Sequence, residues 1–156
     1  MRGILIALFG AIALAACASA PPSTTRAAGG WAWQYDPATG LATAQQTSAE
    51  GRVTVRVSCQ APSGDLTISD YVLGAGGRGS EQVQFRIGNE SITVDGRNEG
   101  GATVIRMPRR PPNLQAYAHL SRDAVTLTAG SRSHTYAADA IEKIALVANS
   151  CWPVGS

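Results

Sequence analysis

Lysine is nearly missing from this sequence: Lys143 is the one lysine, and the rest of the 13 basic residues are arginine. That removes the serine–lysine chemistry of an S-x-x-K motif, and neither G-x-S-x-G nor H-E-x-x-H occurs. Charge of either sign is scarce, at 15% of residues with a net +2. A nucleic-acid surface needs a strongly basic face, which this balance does not supply. Histidine appears twice, as His119 and His134, with no defined ligand spacing. Three cysteines, two of them far apart, are too few for a cysteine-based metal site. No metal or cofactor is therefore expected. Long apolar runs are absent as well. The longest, residues 4–16, falls short of the roughly 20 residues that span a bilayer.

What the chain does have begins with that short run. A charge at Arg2, the apolar stretch 4–16 and small residues behind it have the layout of a secretory signal. Leu14-Ala15-Ala16-Cys17 resembles the bacterial lipobox. The resemblance implies that Cys17 becomes the first mature residue and carries a diacylglycerol. With Ala18 and Ser19 behind it, the resemblance further implies an outer-membrane lipoprotein facing the periplasm. A competing cut lies after Ala18-Ser19-Ala20, ahead of Pro21 and Pro22, and would release a soluble periplasmic protein. Residues 18–30 are small, polar and rich in Pro and Gly, and read as a tether. Extended, it reaches about 40 Å; as a flexible coil it averages about 20 Å. The organisation expected is a signal over 1–16, lipidated Cys17 and tether over 17–30, and one domain over 31–156.

Export also sets the reading of the remaining cysteines. Cys59 and Cys151 are an even pair in an oxidising compartment, and a disulfide between them is expected. The alternative is two buried free thiols.

The domain reads as β structure. Trp31, Trp33 and Tyr35 alternate, and turn chemistry follows at Asp36-Pro37-Ala38-Thr39-Gly40. Over 52–59, Val53, Val55, Val57 and Cys59 share one face, which aims Cys59 at the core. Residues 66–71 resume a strand. Val83, Phe85 and Ile87 pair with Ile92 and Val94 across Gly88-Asn89. Asp95-Gly96 and Gly100-Gly101 read as turns, 103–107 as a short strand, and 124–129 with 132–137 as a hairpin. Residues 113–122 have helical spacing. The strongest helix begins at Asp139, with Glu142 as a capping box, Asp139–Lys143 as an ion pair, and Ile141, Ile144, Ala145 and Ala148 as its apolar stripe. Asn149 can end it. About eight strands without strand–helix–strand alternation predict a mainly β fold: an antiparallel β-sandwich or small barrel with one C-terminal helix.

Gly74-Ala75-Gly76-Gly77-Arg78-Gly79 matches G-x-G-x-x-G by letter. The dinucleotide fingerprint needs a helix next, and the alternation that follows is a strand's, so a loop is expected.

The stretch from Leu120 through Ala124-Val125-Thr126-Leu127-Thr128, His134-Thr135-Tyr136 and Ala140-Ile141 to Cys151 resembles the end of the invasion-associated locus B-like periplasmic proteins. It is also similar to a domain of some type VI secretion accessory proteins. The resemblance implies a small exported β-rich domain without established catalytic residues.

Arg106, Arg109 and Arg110 form the one basic cluster. They are candidates for contact with an anionic surface, such as lipid headgroups or an acidic protein, against the alternative of a solvated loop. Trp31 and Trp33, with Tyr35, are candidates for glycan stacking or a partner contact, against the alternative of core. Asp65, Asp70 and Glu81 are the acids available to a hydrolase. Arg78 or Arg109 would be the residue that a hydrolase inhibitor inserts into its target. The expected function is a membrane-tethered, non-catalytic module that binds an envelope protein or glycan, with an envelope hydrolase or hydrolase inhibitor as the alternative.

Overall fold

Period-two alternation survives along nearly the whole domain, and the sheet it builds has one inner and one outer face. The computed structural model describes residues 30–61, 64–107, 124–136 and 139–151. In chain order the elements are β1 (Trp31–Asp36), β2 (Leu41–Thr47), β3 (Val53–Gln60), β4 (Leu66–Asp70), α1 (Tyr71–Gly74), β5 (Ser80–Ile87), β6 (Glu90–Glu99), β7 (Ala102–Met107), β8 (Val125–Ala129), β9 (Arg132–Thr135) and α2 (Ala140–Cys151). Cys17, Arg109, Arg110, His119 and the helix expected over 113–122 lie outside the described residues.

All nine strands belong to one sheet, in the order β1-β2-β3-β4-β7-β6-β5-β8-β9, and every neighbouring pair is antiparallel. The fold is mainly antiparallel β with a C-terminal helix, as expected. The sheet is curled: Trp31 on β1 and Tyr136 just past β9 meet with ring centroids 6.0 Å apart, although their strands stand at opposite ends of the order. The hairpin of β5 and β6 takes the expected register, with Val83 opposite Val94 and Phe85 opposite Ile92.

The core lies on the inner face. Val55, Val57 and Cys59 of β3, Leu66 and Ile68 of β4, Val83, Phe85 and Ile87 of β5, and Val125 and Leu127 of β8 are all buried there. Each fully buried Val, Leu, Ile or Phe contributes about 1.5–3 kcal/mol. α2 packs over β1, β2 and β3. Opposite it β2 presents Ala42 and Ala44, both fully buried, whose small side chains let the helix approach. The helix buries Ile141, Ile144, Ala145 and Ala148 as the stripe requires, and Val147 and Cys151 with them. Its last residue, Cys151, reaches β3: the Cys59 and Cys151 sulfurs are at disulfide distance, with Cα atoms 6.0 Å apart.

Four local readings change. Tyr71 does not extend β4 but opens α1, because the Asp70 side chain accepts the Val72 and Leu73 amides and turns the chain into a helical turn. Asp95 and Gly96 sit inside β6 rather than at a turn. Glycine is required at 96 for close approach, since a Cβ there would stand 2.5 Å from Val83 Cγ2. At α2, Asp139 adopts a left-handed φ of 69°, and the Lys143 ammonium pairs with Glu142 at 2.6 Å instead of with Asp139. The helix also runs past Asn149 to Cys151. The glycine-rich stretch after α1 leads into β5, so no helix follows it. Its first glycine packs α1 against β7: a Cβ on Gly74 would lie 2.4 Å from the Ala102 Cα.

Candidate functional site

One end of the inner face is polar. On β4, alternation sends Leu66, Ile68 and Asp70 to the same side, and Asp70 is buried with no exposed surface. A carboxylate in that position must be fully hydrogen-bonded to persist. Its Oδ1 accepts the Val72 N–H at 3.0 Å and the Leu73 N–H at 2.7 Å. Its Oδ2 lies 2.8 Å from His134 Nδ1.

His134 comes to that place by register. Gly130 and Ser131 connect β8 to β9, which sets Ala129 opposite Arg132 and Leu127 opposite His134. Since Leu127 and Ala129 face the core, so do His134 and Arg132. The His134 side chain is 13% exposed. In the tautomer whose Nδ1–H donates to the carboxylate, Nε2 is the acceptor nitrogen. Nε2 has no partner among the described residues.

Tyr136 continues the row. Its ring meets His134 edge to face, with centroids 5.2 Å apart, and Trp31 on its other side. Its hydroxyl is buried and makes no hydrogen bond of acceptable geometry among the described residues, as is true of Trp31 Nε1. Burial, with the Asp70 negative charge adding to it, pushes the Tyr136 phenol well above its usual range and keeps it neutral.

Arg132 forms the second half of the cluster. Its guanidinium donates to the Leu73 carbonyl and pairs with Glu81. Glu81 also accepts from Asn98 Nδ2 at 2.9 Å and Thr103 Oγ1 at 3.3 Å. The Arg132 bond chiefly, then Asn98 and Thr103, hold the Glu81 carboxyl below its usual value against the opposing effect of burial. A chain of contacts thus runs from Glu81 through Arg132 and Leu73 to Asp70 and His134. Of the three candidate acids, Asp70 and Glu81 belong to it. Asp65 precedes β4, at the opposite end of that strand.

Chemically, the Asp70–His134 pair is the orienting half of a hydrolytic triad. No hydroxyl or thiol among the described residues is hydrogen-bonded to Nε2. Glu81, held ionised, is unsuited to act as a general acid. Among the described residues no group of three or more His, Cys, Asp or Glu side chains could hold a metal ion.

The other candidates lie elsewhere. Arg106 is exposed on the outer face of β7 and pairs with Glu99 on β6 at 3.0 Å. Trp31 is half-buried against the core, while Trp33 and Tyr35 remain 42% and 43% exposed. Arg78 is exposed in the glycine-rich loop. No helix among the described residues is long and apolar enough to cross a membrane. Comparison with protein-family models, with curated protein sequences and with solved structures returned no match.

Proposed function

We propose that this chain is an outer-membrane lipoprotein, anchored through a diacylglycerol on Cys17, whose β domain faces the periplasm and binds an envelope protein or glycan without catalysing a reaction. The observation that carries the reading is the Cys59–Cys151 pair at disulfide distance. Such pairs persist in oxidising compartments, and the chain opens with Arg2, the apolar residues 4–16 and the lipobox-like Leu14-Ala15-Ala16-Cys17. Nucleic acid is not the partner. In the same reading the curled sheet is a small, incompletely closed barrel rather than a sandwich. The single strand order and the approach of Trp31 to Tyr136 support that.

A second reading, an envelope hydrolase, is favoured by one observation: the Asp-oriented His134, whose Nε2 has no partner among the described residues. It requires a nucleophile or water at Nε2. The inhibitor variant of the proposal would use exposed Arg78 as the inserted side chain.

Intact mass of the mature protein from a native host, with and without reductant, tests the proposal. A mass that begins at Cys17 with acyl chains, and about 2 Da lighter before reduction, is the expected result. A mass beginning at Pro21 without lipid, together with no specific partner recovered by in-cell crosslinking, would overturn it. Hydrolysis of envelope glycan that disappears in His134→Ala would promote the second reading in its place.

A further inference from the structure

β1 is the most exposed strand of the sheet. Every residue from Ala32 to Asp36 is exposed, whichever face its side chain serves, and Trp31 alone is half-buried. One edge of β1 is fully used: all six residues pair with β2, from Trp31 opposite Gln46 to Asp36 opposite Leu41. Its other edge pairs with no strand among the described residues. Among the described residues, α2 is the other element chiefly packed against it, and Tyr136, just past β9, meets its first residue, Trp31.

Such an edge is a template for another strand, and natural sheets blunt theirs with lysine, proline, bulges or inward-pointing charges. β1 carries none of these. Its sequence is Trp-Ala-Trp-Gln-Tyr-Asp, its ladder runs without a bulge, and its one charge stands at its last residue. The other end strand differs: β9 presents Arg132 and His134, each held in the polar cluster. The two sheet ends are therefore not equivalent, and the unprotected one carries the aromatic residues.

We propose that β1 pairs antiparallel with β1 of a second copy of this chain, about a two-fold axis at Trp33. A continuous sheet requires inner-face residues to stand opposite inner-face residues. With the axis at Trp33, Trp33 faces its own copy, Trp31 faces Tyr35, and Ala32 faces Gln34. Every inner-face pair is then aromatic on aromatic, the kind of cross-strand pair that contributes about 0.2–1 kcal/mol. Asp36 falls opposite Gly30, so no charge meets its like. The strand is self-complementary, as an isologous interface demands.

The area limits the affinity. One six-residue strand pair buries less than the roughly 1,200 Å² at which stable interfaces begin, so the dimer is weak and depends on concentration. Were copies held in one membrane by the anchor proposed above, their effective concentration would rise and favour it. The pairing itself does not rest on that anchor.

Sedimentation velocity on the mature full chain, in detergent if it carries lipid, tests this between about 1 µM and about 1 mM, the range of weak self-association. The expected result is a monomer–dimer equilibrium. Trp33→Lys and Tyr35→Lys, which set lysines into the ladder, each weaken association by at least about tenfold. Both positions are exposed, so the fold survives; should Trp33→Lys unfold, Tyr35→Lys decides. Geometry gives an independent arm. Under mild oxidation, Trp33→Cys forms a bridge between copies, because residues facing each other at the axis stand about 4.5–5.5 Å apart at Cα. Arg86→Cys, on the outer face of β5, does not. A monomer at all concentrations, or a dimer untouched by both lysine variants, overturns the proposal. Loss of the anchor with the dimer retained would overturn the lipoprotein reading alone.

Discussion

Tyr136 shows how a single side chain can carry more polarity than its surroundings use. Its ring fills the row between Trp31 and His134, yet its hydroxyl, buried near the Asp70 carboxylate, makes no hydrogen bond of acceptable geometry among the described residues. Removing an unsatisfied buried group costs nothing in hydrogen bonds. Tyr136→Phe is therefore expected to leave the urea-unfolding free energy within about 1 kcal/mol of wild type at neutral pH, or to raise it. A loss of about 2 kcal/mol or more would mean that the hydroxyl is bonded to Asp70 after all. The pH dependence follows from the raised phenol pKa. A tyrosine held neutral in the fold contributes stability that is complete below its unfolded value of about 10 and is lost as pH rises above it. Wild type should lose stability relative to the Phe variant above that pH. At this scale the sequence was partly legible. His134 gives no sign of its face by itself, being polar like its neighbours Ser133 and Thr135. Register from Leu127 and Ala129 across Gly130-Ser131 would have turned His134 and Arg132 inward, had the hairpin been read from its core strand outward.

The element that sequence did not reveal is α1. Four residues are too few to hold a helical turn alone, and Leu66, Ile68 and Asp70 continue an alternation that gives no warning of an end. Its support is long-range. Asp70 caps its start, and Arg132, 59 residues away from Leu73, binds the Leu73 carbonyl while pairing with Glu81, 51 residues from itself. Periodicity reports on neighbours, so pairs at such separations leave no trace in it. Glu81→Gln breaks the ion pair and leaves a partly buried guanidinium poorly compensated. It is expected to lower stability by about 2 kcal/mol at pH 7, measured by urea unfolding. The sign with pH is fixed by the lowered carboxyl. Its contribution is present above the unfolded value of about 4.3 and is lost as pH falls through the lower folded value. The gap between wild type and variant should narrow on acidification; a constant gap down to about pH 2 would show that the charge is not the cause. The strands, in contrast, were legible almost throughout, because Val53, Val55, Val57 and Cys59, or Val83, Phe85 and Ile87, alternate cleanly against polar neighbours. Gly96 misled for a physical reason: glycine serves close approach as readily as it serves turns.

For the molecule as a whole, the cysteine pair at disulfide distance between β3 and the end of α2 dominates. Cys59 and Cys151 are 92 residues apart in sequence, and closing a loop of that size is worth about 4–5 kcal/mol in the chain-entropy model. Replacing both cysteines with serine is expected to lower the unfolding free energy by up to that amount and to leave a variant whose stability, unlike that of wild type, does not change with reductant. A double variant as stable as wild type under oxidising conditions would mean that the pair is not bridged. This pairing could be read from sequence, since Cys59 and Cys151 are the two cysteines that remain once the one in the lipobox-like stretch is set aside; the cluster around Asp70 could not, because its members come from β4, β5 and β9. The placement of α2 has a further consequence, in time rather than in energy. Of the described elements, β1, β2 and β3 are synthesised first, and the helix that covers Ala42, Ala44, Val57 and Cys59 is synthesised last. β4 likewise waits for β7, with β5 and β6 made in between. Everything from β1 to α2 must therefore be present before the apolar surface of β1, β2 and β3 is shielded, and a chain interrupted before Ala140 presents that surface to whatever holds unfolded proteins nearby.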